Sequence, residues 1–473
     1  MFAQLFASSP HAFWLDAGPE ADMGWSLLGS LGPEGVLALG DPAVGEVELY
    51  RPGTGERFRM TGSVLELLDR GIPAAPAAAP ACEAPPAGER AGHEAPFRLG
   101  WAGWIGYETG AAALGVPIAA GSGPDSALLY ADRLVAFDHE RRVILLSALT
   151  APEAPTEAQE EWLLHARSVL SALPEPGAGD APADPSDAPA GAPVRLRHDR
   201  EDYLRLIEQC RERIRRGDAY QLCLTNRFET TATEDPLAVY RRLRQESPTP
   251  RGGFLRAGAV SVLSSSPESF LSVTPGGRVR TRPIKGTRRR GSTEDEDRRL
   301  RRELAEDAKE RAENVMIVDL MRNDLSRVAV LGSVEVEELF AVEAYRTVFQ
   351  LVSTVGAQLA ADVTRGDVVR ATFPGGSMTG APKESAMRIL HGLEGAPRGP
   401  YAGAFGFLSR DGAMELSMTI RSIVLRDGVA VVGAGGGITA LSDPAFEFEE
   451  SLIKAAPLLA ALGAAAPCPN SRP

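Results

Sequence analysis

Two segments of the sequence carry pairs of glutamates at the same spacing. Glu310 and Glu313 lie in "EDAKERAENVMIVDLMRND", and Glu447 and Glu450 lie in "PAFEFEESLIKAAPLL". Both segments predict helices, and residues three apart share one helix face. If the two faces meet, four carboxylates repel one another unless a cation lies between them, and oxygen ligands alone would select Mg²⁺. The alternative is that each pair belongs to a solvated, salt-bridged helix surface.

A lysine stands ahead of three arginines in "TRPIKGTRRRG", residues 281–291. Lys285 lies between Ile284 and Gly286, in a stretch that predicts a strand ending in a tight turn. A lysine on such an element can be a nucleophile, an anion clamp or a charge on a rim. This segment alone leaves all three open.

Two glycine-containing segments could hold an anion. "GVAVVGAGGGITA" (428–440) predicts a strand running into a glycine turn whose N–H groups could face an anion. "FPGGSMTGAPKESA" (373–386) predicts a loop opening a helix, where free N–H groups and Lys383 could hold a carboxylate. In each case the alternative is a turn without a ligand.

Single polar residues add to these candidates. Arg421 lies in "LSMTIRSIVL", a strand otherwise fit for burial. A buried arginine needs a partner, and a bidentate carboxylate, from a ligand or from the protein, is the natural one. Tyr401 could supply a second hydrogen bond. Glu268, in "SSSPESF", is by itself only an acid in a turn between two strands.

The elements that must position these residues mix helices and strands. In the C-terminal part, the patterns predict helices at 199–216, 235–245, 294–324, 364–372, 382–393 and 444–463. They predict strands at 220–229, 253–256, 260–264, 269–273, 278–284, 333–341, 345–357, 401–409, 413–425 and 428–434. Hairpin-like strand pairs predominate, also around His139–Arg142 in the N-terminal part, which favours an α+β protein with large, mostly antiparallel sheets covered by helices.

Composition limits the domain organisation and the class of function. The 473 residues carry a net charge of −13, which argues against a general nucleic-acid binder. The Ala/Pro-rich segments 71–96 and 173–193 predict flexible loops or linkers, and the second divides the chain into 1–172 and 194–464. The tail "APCPNSRP" is expected to fray. No basic leader and no apolar run of roughly 20 residues is found, so we expect a cytoplasmic protein without a membrane partner.

Several catalytic classes lack their signatures. No G-x-S-x-G, H-E-x-x-H or Cys–His arrangement stands out, and none of the four cysteines forms a C-x-x-C pair. No cysteine lies in the Gly-x-Cys-x-Gly turn that a glutamine amidotransferase needs.

Several long motifs in one order resemble the chorismate-utilising enzymes. These motifs are "PIKGTRRRG", "AKERAENVMIVDLMRNDLSRVA", "FPGGSMTGAPK", "VGAGGGI" and "EFEESLIKA". The family comprises component I of anthranilate synthase and of aminodeoxychorismate synthase, with isochorismate and salicylate synthases. The resemblance is strong over 200–463 and weak in the N-terminal region. It implies two large antiparallel sheets packed together and flanked by helices, and Mg²⁺ as cofactor.

Two positions distinguish the branches of this family. Anthranilate synthases carry Ala where Lys285 stands, whereas aminodeoxychorismate synthases carry Lys. Ammonia adding at C2 of chorismate leaves the amine ortho, whereas Lys285 adding at C2 first lets ammonia enter at C4 and leaves the amine para. Such a lysine must be partly deprotonated, which burial favours. Isochorismate and salicylate synthases have a Lys base where Gln221 stands, so hydroxylation is disfavoured.

The resemblance also implies roles for the other candidates. Glu268 would be the general acid/base near the departing C4 hydroxyl. Glu313 and Glu450 would bind Mg²⁺, with Glu310 and Glu447 at or just outside the first shell. Substrate-binding positions would be Arg421 and Tyr401 at the enolpyruvyl carboxylate, Gly435, Gly437 and Lys454 near the ring carboxylate, and Ser377 and Thr379 at the pocket edge. The sequence departs from the family at Gln350, where many members carry a histidine that could relay a proton.

The expected reaction is the amination of chorismate at C4 to 4-amino-4-deoxychorismate, for 4-aminobenzoate and folate or a derived secondary metabolite. A separate glutamine amidotransferase subunit would supply ammonia, and a separate lyase would remove pyruvate. The main alternative is anthranilate synthase component I. A second is a non-catalytic, chorismate-binding or amidotransferase-binding scaffold, for which Gln350 is the best argument.

Overall fold

The computed structural model describes residues 1–70, 95–150, 157–173, 191–346 and 348–465. Most of the loop predicted at 71–96 and of the linker predicted at 173–193, and the whole tail, lie outside these residues.

The strands of the described chain are named in chain order. They are β1 His11–Asp16, β2 Trp25–Ser30, β3 Val36–Asp41, β4 Glu46–Tyr50, β5 Arg57–Thr61, β6 Gly100–Ile105, β7 Ser126–Ala131, β8 Arg133–Asp138, β9 Val143–Ala148, β10 Arg195–Leu196, β11 Gln221–Thr231, β12 Gly252–Ala257, β13 Val260–Ser265, β14 Ser269–Val273, β15 Arg278–Thr281, β16 Ile284–Arg289, β17 Glu335–Ala344, β18 Val348–Gln358, β19 Gly380–Ala381, β20 Ala404–Ser409, β21 Met414–Met418, β22 Ser422–Arg426 and β23 Val429–Ile438.

These strands form two large sheets. The first has the order β10-β11-β23-β22-β13-β12-β1-β2-β8-β9, with β19 beside β11. The second has the order β16-β18-β15-β14-β21-β20-β6-β7-β3-β4-β5, with β17 beside β18. All the strand pairs within them are antiparallel, including the predicted hairpin of β8 and β9.

The helices are also named in chain order. They are α1 Phe2–Leu5, α2 Val64–Arg70, α3 Tyr107–Ala113, α4 Glu157–Ser171, α5 Arg200–Arg215, α6 Pro236–Glu246, α7 Glu294–Glu306, α8 Ala308–Ser326, α9 Arg365–Thr372, α10 Lys383–Glu394 and α11 Pro444–Ala461. In the described residues no helix is long and apolar enough to cross a membrane.

Apolar side chains divide the molecule into layers. One core joins the facing sides of the two sheets and includes Phe13, Trp104 and Phe405. A second packs α4, α6 and α11 on the outer face of the first sheet, and a third packs α2, α8 and α9 on the second sheet. Because burial of apolar area drives this arrangement, each sheet is covered on both faces. The predicted α+β class with two packed antiparallel sheets is confirmed.

Strands from the two sides of the predicted linker pair with each other. β1 pairs with β12 in the first sheet, and β6 pairs with β20 in the second. The two predicted parts, 1–172 and 194–464, therefore both contribute strands to both sheets. Their division into separate domains stays a prediction.

The structure divides two elements that were predicted as continuous. The helix predicted at 294–324 is α7 followed by α8, because Asp307 leaves the helical conformation and accepts a hydrogen bond from the Glu310 N–H as the N-cap of α8. The strand predicted at 413–425 is β21 and β22, which belong to different sheets. The chain crosses between the sheets next to Arg421, whose φ is +50°.

Candidate active site

The glycines of "GAGGG" lie within β23 and not in the predicted turn. They pair with β11, as in the register Gly435 to Thr225, whereas β22 reaches only to Val432. Beyond that point the other edge of β23 is unpaired within the described sheet. The Lys454 ammonium donates to Gly435 O at 2.8 Å along this edge. Because N–H and C=O of one strand residue point to the same side, the N–H groups of Gly435 and Gly437 also face it.

These glycines leave room for side chains that approach the strand. The Tyr401 ring occupies the place of a side chain at Gly433, and the Gln221 amide occupies that place at Gly437. A Cβ at Gly437 would also lie 3.4 Å from Lys285 Nζ. The backbone of β23 therefore forms a wall of the site that residues from several elements reach directly.

Lys285 lies on a β-bulge, not in the predicted tight turn. The register between β16 and β18 shifts between Ile284 and Thr287, and Gly286 has a φ of +80°. The bulge redirects the side chain, which is 14% exposed and places Nζ 3.6 Å from Glu313 Oε2. Burial lowers the pKa of Lys285, but charges led by Glu313 outweigh it and raise the pKa above its ordinary value. In the structure Lys285 is therefore a paired ammonium.

The arginines that follow Lys285 hold two helices against β16. Arg288 pairs with Asp307, the N-cap of α8, at 2.8 Å, and Arg290 pairs with Asp297 of α7 at 2.7 Å. Charge-assisted pairs of this kind fix orientation. The run of arginines thus sets the position of the helix that carries Glu310 and Glu313.

Glu268 is a buried carboxyl at the start of β14. Its Oε1 accepts a hydrogen bond from Ser377 Oγ at 2.8 Å. Burial raises the pKa of Glu268 to about 7, against the opposing effects of the Ser377 hydrogen bond and the Lys285 charge. A group with this pKa can both give and accept a proton near neutral pH.

The two acidic pairs lie near the N-terminal ends of their helices. α8 begins after Asp307 and α11 after Asp443, and each aspartate caps its helix through a backbone N–H three residues on. On α11, a Cβ added at Gly436 would lie 2.8 Å from Glu447 Oε2 and 3.8 Å from Glu450 Oε2. Glu447 and Glu450 therefore lie against the glycine strand, as we call residues 433–437 of β23.

Basic side chains lie within 4.0 Å of three of the four glutamates. Lys454 pairs with Glu450 at 3.0 Å, Lys309 lies 3.9 Å from Glu313 Oε1, and Arg288 lies 3.5 Å from Glu310. Burial and the neighbouring glutamate of each pair raise the pKa of Glu310 and of Glu447. The acids are therefore crowded, and the protein's own cations offset part of their charge.

The donor chemistry of these pairs suits a hard divalent cation, since it consists of carboxylate oxygens. Among the described residues, no three acidic, histidine or cysteine side chains gather into a ligand cluster. Each pair therefore fits Mg²⁺ in its donor chemistry, as part of a ligand set that the described side chains do not assemble by themselves.

Arg421 contacts the backbone of α11, and the Tyr401 ring lies against Gly433 of β23. Arg421 Nη1 donates to Lys454 O at 3.3 Å, and within the described chain no carboxylate lies at salt-bridge distance from its guanidinium. Burial lowers the pKa of Arg421, while Tyr401 and Glu450 act in the opposite direction. The guanidinium stays cationic and can take a ligand carboxylate.

The remaining predicted residues differ in their placement. Gln221 is buried beside Lys285, and its Oε1 has no hydrogen-bond partner among the described atoms. Thr379 is fully buried, with its hydroxyl toward backbone oxygens of its own loop. Gln350 pairs in register with Thr287, next to the bulge at Lys285.

One buried group was not anticipated from the sequence. Arg398, 2% exposed at its side chain, donates to Glu394 at 2.7 and 2.8 Å, to Met378 O at 2.7 Å and to Cys223 O at 2.8 Å. Arg398, which lies three residues before Tyr401 in the sequence, thereby joins the loop of Ser377 to β11. The triplet Arg398-Gly399-Pro400 offered only a weak turn signal.

The backbone at Arg398 and Gly399, between α10 and β20, rests on a second buried acid pair. Glu108 accepts from Arg398 N and Gly399 N, both at 2.8 Å, and lies against Asp125. Burial, then the Asp125 charge, raises the pKa of Glu108 to about 8. At neutral pH the pair therefore retains a proton in the folded protein.

We expect this pair to make stability fall as the pH rises from about 5 to 8. In that range folded Glu108 binds a proton that the unfolded chain, with a pKa near 4.5, has lost. Asp125→Asn should flatten the slope and add on the order of 1 kcal/mol at pH 8, because an amide can donate to Glu108. Urea unfolding at pH 5.5 and 8 measures this. Asp138→Asn, in the β8–β9 hairpin, is the control, and an unchanged slope in Asp125→Asn would contradict the assignment.

Comparisons with known proteins identify the family of the chain. Residues 61–460 match the family model described as chorismate binding enzyme. An aminodeoxychorismate synthase of Streptomyces griseus is 44% identical over 98% of this chain and 63% of its own length. An anthranilate synthase component 1 of Thermus thermophilus is 42% identical over 72% of this chain and 71% of its own. The chain thus spans less than two thirds of the length of the first relative.

A solved structure supports the same relationship. The crystal structure of anthranilate synthase component I from Streptococcus pneumoniae has a TM-score of 0.75 and 29% sequence identity, and covers 93% of each chain. With the family model covering most of the sequence, the chain belongs to the family of chorismate-binding enzymes.

Proposed function

We propose that this chain is component I of an aminodeoxychorismate synthase, which converts chorismate and ammonia to 4-amino-4-deoxychorismate. The observation that carries this proposal is the position of Lys285. Its amine lies beside Glu313, Gln221 and the glycine strand, and it interacts with the charge of Glu268. The Streptomyces griseus relative bears the name of this activity.

Lys285 would act as the nucleophile. Its amine forms a bond to C2 of chorismate, the two conjugated ring double bonds each shift by one position, and the C4–O bond breaks. Ammonia then forms the C4–N bond, both double bonds return to their first positions, and the bond between C2 and Nζ breaks. Each displacement exchanges one bond for another, so no oxidant or reductant is required.

Glu268 would carry the proton that these displacements need. With a pKa of about 7 it can accept the proton of the Lys285 ammonium and deliver it to the departing C4 hydroxyl, which leaves as water. Ser377 holds the carboxyl in place. When Glu313 is engaged elsewhere, its charge no longer raises the pKa of Lys285, and burial favours the neutral amine.

Glu313 and Glu450 would hold Mg²⁺, with Glu310 and Glu447 next to them. When bound, Mg²⁺ would offset the charge of the ring carboxylate and help to fix it. The N–H groups of Gly435 and Gly437 and the Lys454 ammonium face the same edge of β23. They would bind the oxygens of that carboxylate.

Arg421 and Tyr401 would bind the enolpyruvyl carboxylate. The guanidinium lacks a protein carboxylate among the described residues, and the Tyr401 ring lies against Gly433. A charge-assisted pair with the substrate would satisfy the buried cation.

Ammonia would come from glutamine through an amidotransferase. The described cysteines, Cys210 and Cys223, are buried, and burial raises the pKa of both thiols. Neither provides the thiolate that releases ammonia from glutamine. The unpartnered Gln221 Oε1 can accept a hydrogen bond from the incoming ammonia.

The second candidate is anthranilate synthase component I, which the Thermus thermophilus relative favours. In that reaction ammonia adds at C2, and a lysine nucleophile at that carbon is not required. The presence of Lys285 beside the site is the feature that distinguishes aminodeoxychorismate synthase from anthranilate synthase in this comparison.

Purified protein incubated with chorismate, Mg²⁺ and ammonium should form 4-amino-4-deoxychorismate. Product chromatography, with conversion to 4-aminobenzoate by an added lyase, measures it. Replacing ammonium by glutamine should stop the reaction unless an amidotransferase is added. A fluorescent ortho-aminobenzoate as main product would reject the proposal and establish the second candidate.

A further inference from the structure

Lysine is rare in this chain. Of its 50 Lys and Arg residues only four are lysines, at 285, 309, 383 and 454. Arginine thus serves nearly everywhere that a positive charge is used. A lysine differs from arginine in its compact, mobile ammonium group. Positions that keep a lysine are therefore candidates for a role that arginine cannot fill.

Three of the four lysines contact the acidic pairs of the site. Lys285 and Lys309 both pair with Glu313, and Lys454 pairs with Glu450. The fourth, Lys383, is buried and bonds to Asp324 at 2.6 Å and to Thr372 O at 2.7 Å, away from these pairs. Lys309 is the member of this group to which the proposed reaction gives no role.

Lys309 lies beside Glu313, and its charge reaches beyond its own helix. It lies in the first turn of α8, and its Nζ is 3.9 Å from Glu313 Oε1. Its charge also acts on Glu310 and on Glu447, which belongs to α11. Its position thus lets a single ammonium group offset charge on both helices.

The three ion pairs differ in how firmly they are held. Lys285 is only 14% exposed, and Lys454 is anchored by a further bond to Gly435 O. Lys309 has a side chain 54% exposed and a long ion pair. Such pairs contribute at most about 1 kcal/mol, so Lys309 can leave at little cost.

We infer that Lys309 is an exchangeable counter-ion of the acidic pairs, which Mg²⁺ displaces when it binds. This inference rests on the metal site of the proposed function. Without a metal the two carboxylates of each pair repel each other, and the Lys309 ammonium reduces the repulsion between Glu310 and Glu313. A divalent cation coordinated by the same oxygens takes over this role, so the ammonium and the metal compete for Glu313.

The competition predicts a tighter metal site when the ammonium is removed. Calorimetric titration of MgCl₂ into the whole chain should show roughly three- to fivefold higher affinity in Lys309→Gln. Lys309→Arg, which keeps the charge, should not gain affinity. Arg311→Gln is the matched control, because it removes one charge two residues along α8, where Arg311 lies over the Phe340 ring. That variant should stay within about twofold of the parent.

A second readout follows the lysine itself. Because the chain has only four lysines, peptide mass spectrometry can measure the labelling of each by an amine-reactive reagent. Labelling of Lys309 should become faster when Mg²⁺ is added, whereas labelling of buried Lys383 should not change.

Two negative results can be told apart. If Mg²⁺ binds the parent, but Lys309→Gln binds no more tightly and Lys309 labelling is constant, the inference is wrong and the metal site remains. If neither the parent nor any variant binds Mg²⁺, the metal site is rejected and the inference with it. Amination of chorismate without any divalent ion would show independently that the metal part of the proposed function is wrong.

Discussion

Replacing Lys285 by alanine should abolish the para-directed amination of chorismate. We expect the rate of 4-amino-4-deoxychorismate formation to fall at least about a thousandfold, because the substitution removes the nucleophile that the proposed reaction requires. The methyl group also removes the ion pair with Glu313, which is 3.6 Å long. Discontinuous assays with chorismate, Mg²⁺ and ammonium, followed by chromatography of both aminated products, provide the measurement.

Lys285→Arg separates nucleophilicity from charge. A guanidinium can keep the pairing with Glu313 but does not lose its proton near neutral pH, so this variant should be as inactive as the alanine variant. Parent enzyme given chorismate without ammonium should carry a covalent adduct, and peptide mapping has only four lysines to distinguish. An alanine variant with parental activity, or an adduct found only at Lys309, would exclude Lys285 as the nucleophile.

Local patterns were sufficient to place both glutamate pairs on helices, while their roles stay a prediction. The glutamates of each i, i+3 pair lie on one helix, α8 or α11, although the helix predicted at 294–324 is divided before α8. The two-sheet fold was predicted from the motifs together with the excess of hairpin-like strands. These features depend on short stretches of sequence, which explains why they could be recognised.

Features that depend on long-range pairing were predicted less well. The "GAGGG" segment has the composition of a turn, but its pairing with β11 makes it a strand. The sequence around Arg421 predicts one strand, 413–425, but the structure has two strands there, β21 and β22, which belong to different sheets. The break at Asp307 could have been predicted, because Asp307 and Glu310 have the spacing of a capping box.

Two functional candidates were missed for different reasons. Lys309 could have been found by counting lysines, because only four of the 50 Lys and Arg residues are lysines. Arg398 could not, because its partners Glu394, Met378 and Cys223 are brought to it only by the packing of β11, α10 and the loop of Ser377. Burial of a charged side chain is a tertiary property.

Arg398→Met should be the most destabilising single substitution that we predict for this chain. It leaves Glu394, which is 3% exposed at its side chain, as a buried carboxylate without its cation. Breaking a buried pair in this way costs about 3–5 kcal/mol. The backbone oxygens of Met378 and Cys223 also lose their donors. Equilibrium urea unfolding, followed by tryptophan fluorescence, measures the loss.

The double variant Arg398→Met/Glu394→Gln tests whether the isolated charge causes the loss. A neutral amide at 394 can still accept from Thr225 N, which now donates to Glu394 Oε1 at 2.9 Å. More than half of the lost stability should therefore return, since the uncompensated charge is the larger part of the cost. The control is Arg388→Met, which removes an exposed pair with Glu384 on α10, the helix that also carries Glu394. This variant should cost at most about 1 kcal/mol.

If Arg398→Met costs no more than Arg388→Met, the buried pair does not hold the loop of Ser377 against β11. If the double variant is as unstable as the single one, the lost contacts to Met378 and Cys223, and not the charge, hold these segments together.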